Sequence, residues 1–304
     1  MKSGLTITEM AAEIERQADA KADYLVNPLN MEVDPTGRVP MLRLVENGVD
    51  LLEPLAIQET AHRQMGAHLN IPWKYYERML QEEPGLLADN VNHWLHKGEP
   101  TQRLLRTIDG KARAFLSNRY RCIDNFEIAT AVLPIIMEMQ GARFESAQIT
   151  ENYMYIKVVN PRLTGEVRVG DVVQAGVVIS NSETGLGAVN VQPLVYRLAC
   201  LNGMVVNDNS TRTRRNHVGR ANSTDENFAL YSQETLDQDG KAFMMKVQDT
   251  VRAAVDEARF AKVLDTMKES TQAKLDTTDI PAVVKLTSNN FGLTEAEGKG
   301  VLQH

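Results

Sequence analysis

The segments 143–161 and 166–204 contain three to five strand-like runs with no helix-forming stretch between them. A parallel sheet needs a crossover of a dozen or more residues between neighbouring strands, usually a helix. These strands are therefore predicted to form an antiparallel meander. Upstream, residues 103–121 predict a hairpin around Asp109–Gly110, and residues 124–141 predict a helix. Together these patterns predict an α+β fold with a central, largely antiparallel sheet and a packed helix.

Helical patterns flank this core on both sides and predict helical N-terminal and C-terminal additions. Thr6 and Glu9 have the spacing of a capping box at the start of a helix. Residues 228–275 contain a long amphipathic stretch, which predicts core packing, with an oligomer contact as the alternative. We predict three regions: strands and helices in 1–100, a basic α+β core in 101–227 and a helical region in 228–304.

Charge is distributed unevenly along this acidic chain, whose net charge is -7. Residues 101–220 carry 15 basic and 10 acidic side chains, whereas 1–100 carry 9 and 16, and 221–304 carry 9 and 14. Of the 15 basic side chains in the middle, 13 are arginines. Arginine presents a planar five-donor fork that binds phosphate oxygens in pairs and stacks on flat rings. The middle region is thus predicted to bind nucleic acid, and arginines that pair with local carboxylates are the alternative interpretation.

Two basic clusters and one polar row are the candidate contacts. The first cluster has interleaved aromatic rings, a combination typical of sequence-tolerant single-strand binding. Its members are Arg103, Arg106, Lys111, Arg113, Arg119, Tyr120 and Arg121, with Phe115 among them. The second cluster consists of Arg212, Arg214, Arg215, His217 and Arg220. The polar row, Ser180, Asn181 and Ser182, has hydroxyl and amide groups that can contact phosphate without adding charge.

The stretch GVVISNSETGLGAV at 176–189 has the composition of a phosphate-binding loop. Such a loop leads directly into a helix, whose free amides and dipole meet the anion. Here the next residues alternate like a strand, and no Gly-Lys-Ser ending follows. We therefore predict that Gly185 and Gly187 form a turn between two strands, and that no nucleotide binds there.

Other chemistry receives little support from the sequence. Cys122 and Cys200 lie in apolar stretches and are predicted to be buried thiols. The histidines lack the spacing of a metal site, and no serine-nucleophile elbow is found. We predict no cofactor, no metal and no catalytic residue. No apolar run is long enough to cross a bilayer and the N-terminus is too polar for a secretory signal, so we expect a cytoplasmic protein without membrane contact.

Several motifs resemble the phage and plasmid-like family named domain of unknown function 932. They are Arg-Tyr-Arg at 119–121, Ser-Asn-Ser-Glu at 180–183, Cys-x-Asn-Gly at 200–203 and His-x-Gly at 217–219. The resemblance runs from about Glu59 to Phe260. It implies an origin on a mobile element, and it does not imply a particular activity.

The order of hairpin, helix and antiparallel strands is also similar to the core of single-strand annealing recombinases of the Red-beta, RecT and Erf type. That resemblance implies binding of single-stranded DNA by a homo-oligomeric ring or filament, without nucleotide hydrolysis, beside a host or phage recombination partner. We therefore predict a single-stranded DNA-binding or annealing protein. The alternative is an enzyme or an anti-defence protein whose basic region contacts an acidic protein surface.

Overall fold

The computed structural model describes residues 2–37, 39–98, 100–198, 204–207, 212–217, 233–272 and 279–291. The helices in this part of the chain are α1 (Ile7–Ala20), α2 (Glu59–His68), α3 (Trp73–Glu82), α4 (Pro84–Lys97), α5 (Asn125–Glu138), α6 (Gln233–Ala254), α7 (Glu257–Gln272) and α8 (Ile280–Phe291). The strands are β1 (Lys2–Ser3), β2 (Lys21–Val26), β3 (Met31–Asp34), β4 (Met41–Glu46), β5 (Val49–Asp50), β6 (Leu55–Ile57), β7 (Arg103–Ile108), β8 (Lys111–Ser117), β9 (Arg143–Ile149), β10 (Met154–Glu166), β11 (Val172–Asn181), β12 (Val189–Arg197), β13 (Met204–Asn207) and β14 (Thr213–Arg215).

The strands divide between two seven-stranded sheets. One sheet has the order β1-β9-β10-β11-β12-β13, with β14 also paired to β12, and all of its pairs are antiparallel. The other has the order β2-β7-β8-β6-β4-β3, with β5 on β4, and its β6–β8 pair is parallel. The predicted α+β class is confirmed. The meander predicted from residue 143 onward forms the first sheet together with the N-terminal β1, and strands β2 to β8 form the second.

Each sheet buries one apolar core under helices. In the first sheet, residues of β9 to β12 pack with Met10 of α1, Val132 of α5 and Val247 of α6. In the second sheet, the core includes Met65 of α2 and Leu87 of α4. Phe243, Val247, Val251 and Ala254 are all buried, which confirms the core-packing interpretation for this part of the amphipathic stretch.

Local turn and capping signals agree with the structure. Thr6 and Glu9 form the complete capping box of α1. Asp109 and Gly110 have φ angles of 50° and 69°, the left-handed conformation that a two-residue hairpin turn requires, between β7 and β8. The capping box and the hairpin turn each involve residues that are close in sequence, so the local sequence is enough to predict them.

The chain forms two compact units, Met1–Ala261 and Lys262–His304. The described residues of the second unit belong to the end of α7 and to α8. Our division at residues 100 and 227 stays a prediction; β7 and β8 pair with β2 and β6 across the first of these positions. No helix among the described residues has the length and apolar character needed to span a membrane.

Candidate nucleic-acid interface

The glycine-containing stretch 176–189 is a strand, a turn and a strand. β11 ends at Asn181 and the antiparallel β12 begins at Val189, so no helix follows the turn. Gly185 has a φ of 80°, and a Cβ there would lie 2.7 Å from Leu116 Cδ2. The segment therefore lacks the helix N-terminus that a phosphate-binding loop provides, as the sequence predicted.

The polar side chains of this turn point into the protein. Asn181 and Ser182 are buried and Ser180 is partly buried. The carboxylate of the buried Glu183 accepts a hydrogen bond of 2.6 Å from the Asn125 backbone N–H and forms an ion pair of 2.7 Å with Arg113. Glu183, which follows the predicted polar row, thus connects the β11–β12 turn to β8 and to the start of α5.

Arg106 is the centre of a buried charge network. Its guanidinium donates two hydrogen bonds of 2.9 Å to Asp23 and one of 2.7 Å to Asp124, which also pairs with Lys21. Burial opposes ionisation of Asp124, but Arg106 and Lys21 outweigh this effect and hold its pKa below the ordinary value. For Arg106 and Arg113, the structure favours the alternative interpretation, in which an arginine pairs with a carboxylate of the same chain.

The other members of the first cluster occupy different environments. Arg103 is half-buried, and its guanidinium lies 5.2 Å from the centre of the buried Phe115 ring. Lys111 is exposed at the start of β8, and Arg119 is exposed after its end. Tyr120 is buried and its hydroxyl donates to the Ser182 carbonyl. Neither aromatic ring of this cluster is therefore available to stack on a base.

His217 joins the two basic clusters through buried hydrogen bonds. Its Nδ1 lies 3.0 Å from the Arg121 carbonyl oxygen, and its Nε2 lies 2.9 Å from Asn181 Oδ1. The Arg121 N–H donates to the His217 carbonyl at 2.7 Å, and the Tyr120 ring stacks on the imidazole. Burial lowers the pKa of His217 and opposes a positive charge there. His217 therefore connects the end of β14 to the segment after β8.

Arg121 and Arg215 meet at the surface on a single carboxylate. Arg121 donates to Asp239 Oδ2 at 2.6 Å, and the Arg215 guanidinium binds the same oxygen. Arg121 belongs to the first basic cluster, Arg215 to the second and Asp239 to α6. Both arginines line a cavity of about 460 Å³ together with Glu127, Asp237 and Lys241. The fold thus brings together two arginines that lie far apart in the sequence.

Comparison with known proteins identifies the family. A family model described as Domain of unknown function (DUF932) matches residues 114–301, more than half of the chain. The chain belongs to the DUF932 family. No curated protein and no solved structure matches it.

In this DUF932 chain, the matched region begins at residue 114, whereas the resemblance drawn from the motifs began at Glu59. The match includes Arg119, Arg121 and the described residues of β14. It leaves out β2 and β7, which supply Asp23 and Arg106 of the buried network.

What we call the basic rim is the set of basic side chains on β14 and on the segments next to β8 and β14 that keep exposed surface. Arg214 lies on the same face of the sheet as Asn190, and Arg215 lies on the opposite face, over Phe243. Arg214 is exposed, as is Arg212, which donates a hydrogen bond of 2.5 Å to Asn190. Arg121 and Arg215 keep 26% and 18% of their side chains exposed. The basic rim is defined as Arg119, Arg121, Arg212, Arg214 and Arg215. Arg220, also predicted to bind nucleic acid, lies outside the described residues.

The sequence did not predict the acidic partners of Arg106 and Arg121. Asp23 lies 83 residues from Arg106, and Asp239 lies 118 residues from Arg121. No motif or spacing in the sequence relates residues at such separations, and only β-pairing and helix packing bring them together.

Thiol and metal chemistry receive no support from the described part of the chain. Cys122, predicted to be a buried thiol, is a free thiol that is only partly buried, and this partial burial raises its pKa to about 11. Because the thiolate is the reactive form, Cys122 is a poor nucleophile near neutral pH. No group of three or more His, Cys, Asp or Glu side chains in the described residues could hold a metal ion. Cys200 lies outside the described residues.

Proposed function

We propose that this DUF932 protein binds single-stranded DNA through the basic rim, in the manner of a mobile-element DNA-binding protein. The observation that carries the proposal is the convergence of Arg121 and Arg215 on one surface carboxylate. Two guanidinium groups share the Asp239 carboxylate there, in a cavity that Lys241, Glu127 and Asp237 also line. Arg119 and Arg214, which lie within two residues of these arginines in the sequence, are exposed. A phosphodiester backbone supplies the repeated negative charges that such a surface attracts.

The type of contact follows from which groups are exposed. Arginine forks bind phosphate oxygens in pairs. Tyr120 and Phe115 are buried, so the rings that the sequence offered for base stacking lie inside the fold. Binding by the basic rim is therefore expected to depend on the phosphate backbone, to tolerate many sequences and to weaken strongly with salt.

Annealing activity and self-assembly extend this proposal. The resemblance to recombinases of the Red-beta, RecT and Erf type supports a homo-oligomer that holds one strand and pairs it with its complement, without nucleotide hydrolysis. Element order is weaker support than a shared motif, because similar folds serve unrelated functions. Annealing is accordingly tested separately from binding.

The first experiment measures binding of a labelled single-stranded oligonucleotide by fluorescence anisotropy over a series of salt concentrations. The double variant Arg212→Ala/Arg214→Ala should bind about tenfold more weakly, because two phosphate contacts are lost. Its slope of log K against log salt should be shallower by about 1.4, at about 0.7 for each single-strand phosphate. The matched control is Arg78→Ala/Arg252→Ala, which removes the same charge from exposed helical positions.

Mass photometry with and without the oligonucleotide, and an annealing assay with complementary strands, then test assembly. Rings or filaments that grow on DNA, together with faster annealing, would support the recombinase-like role. Failure to bind single- or double-stranded DNA or RNA at low salt would overturn the proposal. An unresponsive monomer would favour the alternative, in which the basic rim contacts an acidic protein surface.

A further inference from the structure

Asp239 occupies the position at which a phosphate oxygen would meet Arg121 and Arg215. Its Oδ2 atom accepts from Nη1 of Arg121 at 2.6 Å and also binds Nη2 of Arg215. The Arg215 guanidinium donates a further hydrogen bond of 3.2 Å to the Asp239 backbone carbonyl. A single carboxylate oxygen held between two arginine forks reproduces the contacts that a phosphate oxygen makes in such a site.

From this contact we infer that Asp239 is a resident competitor for phosphate, and that α6 partly masks the DNA-binding surface of its own chain. The inference rests on the proposed function, because it assigns regulation to the same arginines. In the free protein Asp239 neutralises part of the charge of the basic rim. A bound strand must displace it.

The surroundings of Asp239 match this role. Glu234 and Asp237, in the same part of α6, are also exposed, and Asp237 lines the cavity beside the two arginines. The helix backbone is close as well: a Cβ on Gly240 would lie 3.9 Å from Nη2 of Arg121. An acidic edge of α6 thus lies against two members of the basic rim.

The contact of Asp239 with Arg121 and Arg215 is strong enough to compete with phosphate and weak enough for phosphate to replace it. Burial is the largest single influence and opposes ionisation of Asp239, but its hydrogen bonds to Arg215 and Arg121, together with their charges, outweigh it and hold its pKa below the ordinary value. The carboxylate therefore stays charged at neutral pH and does not release the arginines by titration there. Since 56% of its side chain is exposed, water and salt screen each ion pair, and rotation of the side chain into solvent would remove the carboxylate from both guanidinium groups.

The test compares single-strand affinity of the wild-type protein with Asp239→Asn, which keeps the shape and removes the charge. Asp239→Ala is the second variant, and thermal unfolding of each confirms that the fold is kept. Both variants should bind the oligonucleotide about three- to tenfold more tightly, the equivalent of releasing two exposed ion pairs. In an Arg121→Ala background the gain should be much smaller.

The matched control is Asp249→Asn, on the same helix and with the same change of net charge. Asp249 pairs with Arg252 and is 77% exposed. Equal gains from Asp239→Asn and Asp249→Asn would show a general charge effect and would overturn the inference. Unchanged or weaker binding by Asp239→Asn, with wild-type binding intact, would overturn the inference and leave the proposed function standing. Absence of binding by every protein would overturn the proposed function itself.

Discussion

Arg106 and Asp124 form an ion pair of 2.7 Å inside the protein, and the Arg106 side chain has no exposed surface. Arg106 lies on β7, Asp124 directly precedes α5, and the second carboxylate of the network, Asp23, lies on β2. Arg106 also donates to the Glu183 carbonyl in the β11–β12 turn. One guanidinium therefore connects two strands of the second sheet, the β11–β12 turn of the first sheet and the residue before α5.

Replacing Arg106 should destabilise the fold. Arg106→Ala leaves Asp23 and Asp124 without their arginine partner, and loss of one member of a buried pair typically costs about 3–5 kcal/mol. Urea unfolding measures the change. Arg78→Ala is the control: Arg78 is 73% exposed in an i,i+4 pair, so its loss should cost less than about 0.5 kcal/mol. An Arg106→Ala protein of wild-type stability with weakened DNA binding would instead assign Arg106 to the interface.

The β11–β12 turn should be sensitive to substitution of Gly185. An alanine there combines a left-handed backbone with a Cβ 2.7 Å from Leu116, so Gly185→Ala should cost at least about 2 kcal/mol of unfolding free energy. Gly170→Ala separates the two effects, because Gly170 has a φ of 82° and open space around it. It should cost only the backbone strain, about 1 kcal/mol. Similar losses in thermal or urea unfolding would contradict the close approach at Gly185.

The stability of the protein should fall in mild acid because of His62. This buried side chain lies 2.9 Å from the Tyr76 hydroxyl, and burial lowers its pKa to about 4. An unfolded histidine has a pKa of about 6.5, so between these two values the unfolded chain binds a proton that the folded protein does not. The contribution of His62 to stability is full above pH 6.5 and falls by about 3 kcal/mol as the pH drops to 4.

The measurement for His62 is the free energy of urea unfolding at several pH values between 4 and 7. His62→Gln, which keeps a polar side chain but does not titrate, should remove this part of the pH dependence. If the variant and the wild type have parallel profiles, His62 does not titrate as its burial requires.

Cys122 should react slowly with alkylating reagents in the folded protein. Burial, the largest influence, raises its pKa to about 11 despite the favourable charge of Arg106. Compared with an ordinary thiol of pKa about 9, the thiolate fraction near neutral pH falls about a hundredfold. Mass spectrometry of the Cys122 peptide after timed iodoacetamide treatment measures the rate, and the urea-unfolded protein is the control. Equal rates in both states would show that the fold does not shield the Cys122 thiol.

The structure separates the features of this protein that are encoded locally from those that are not. The capping box of Thr6 and Glu9, the Asp109–Gly110 turn and the apolar face that includes Phe243 and Val247 were predicted from the sequence and are confirmed. So was the strand that follows Gly187. Each depends on residues within a few positions of one another, where backbone conformation and side-chain periodicity are set by short-range sterics and hydrogen bonding.

The sequence by itself thus determined the fold class, most strand and helix positions and the concentration of arginine in the middle of the chain. Only the tertiary structure decided which arginines are internal and which reach the surface. Arg106 and Arg113 are buried and pair with Asp23 and Glu183. Arg121 and Arg215 pair with Asp239 and keep part of their side chains exposed. The reason is physical: a buried guanidinium needs a carboxylate in contact with it, and strand pairing and helix packing, not neighbours in sequence, determine which carboxylate that is.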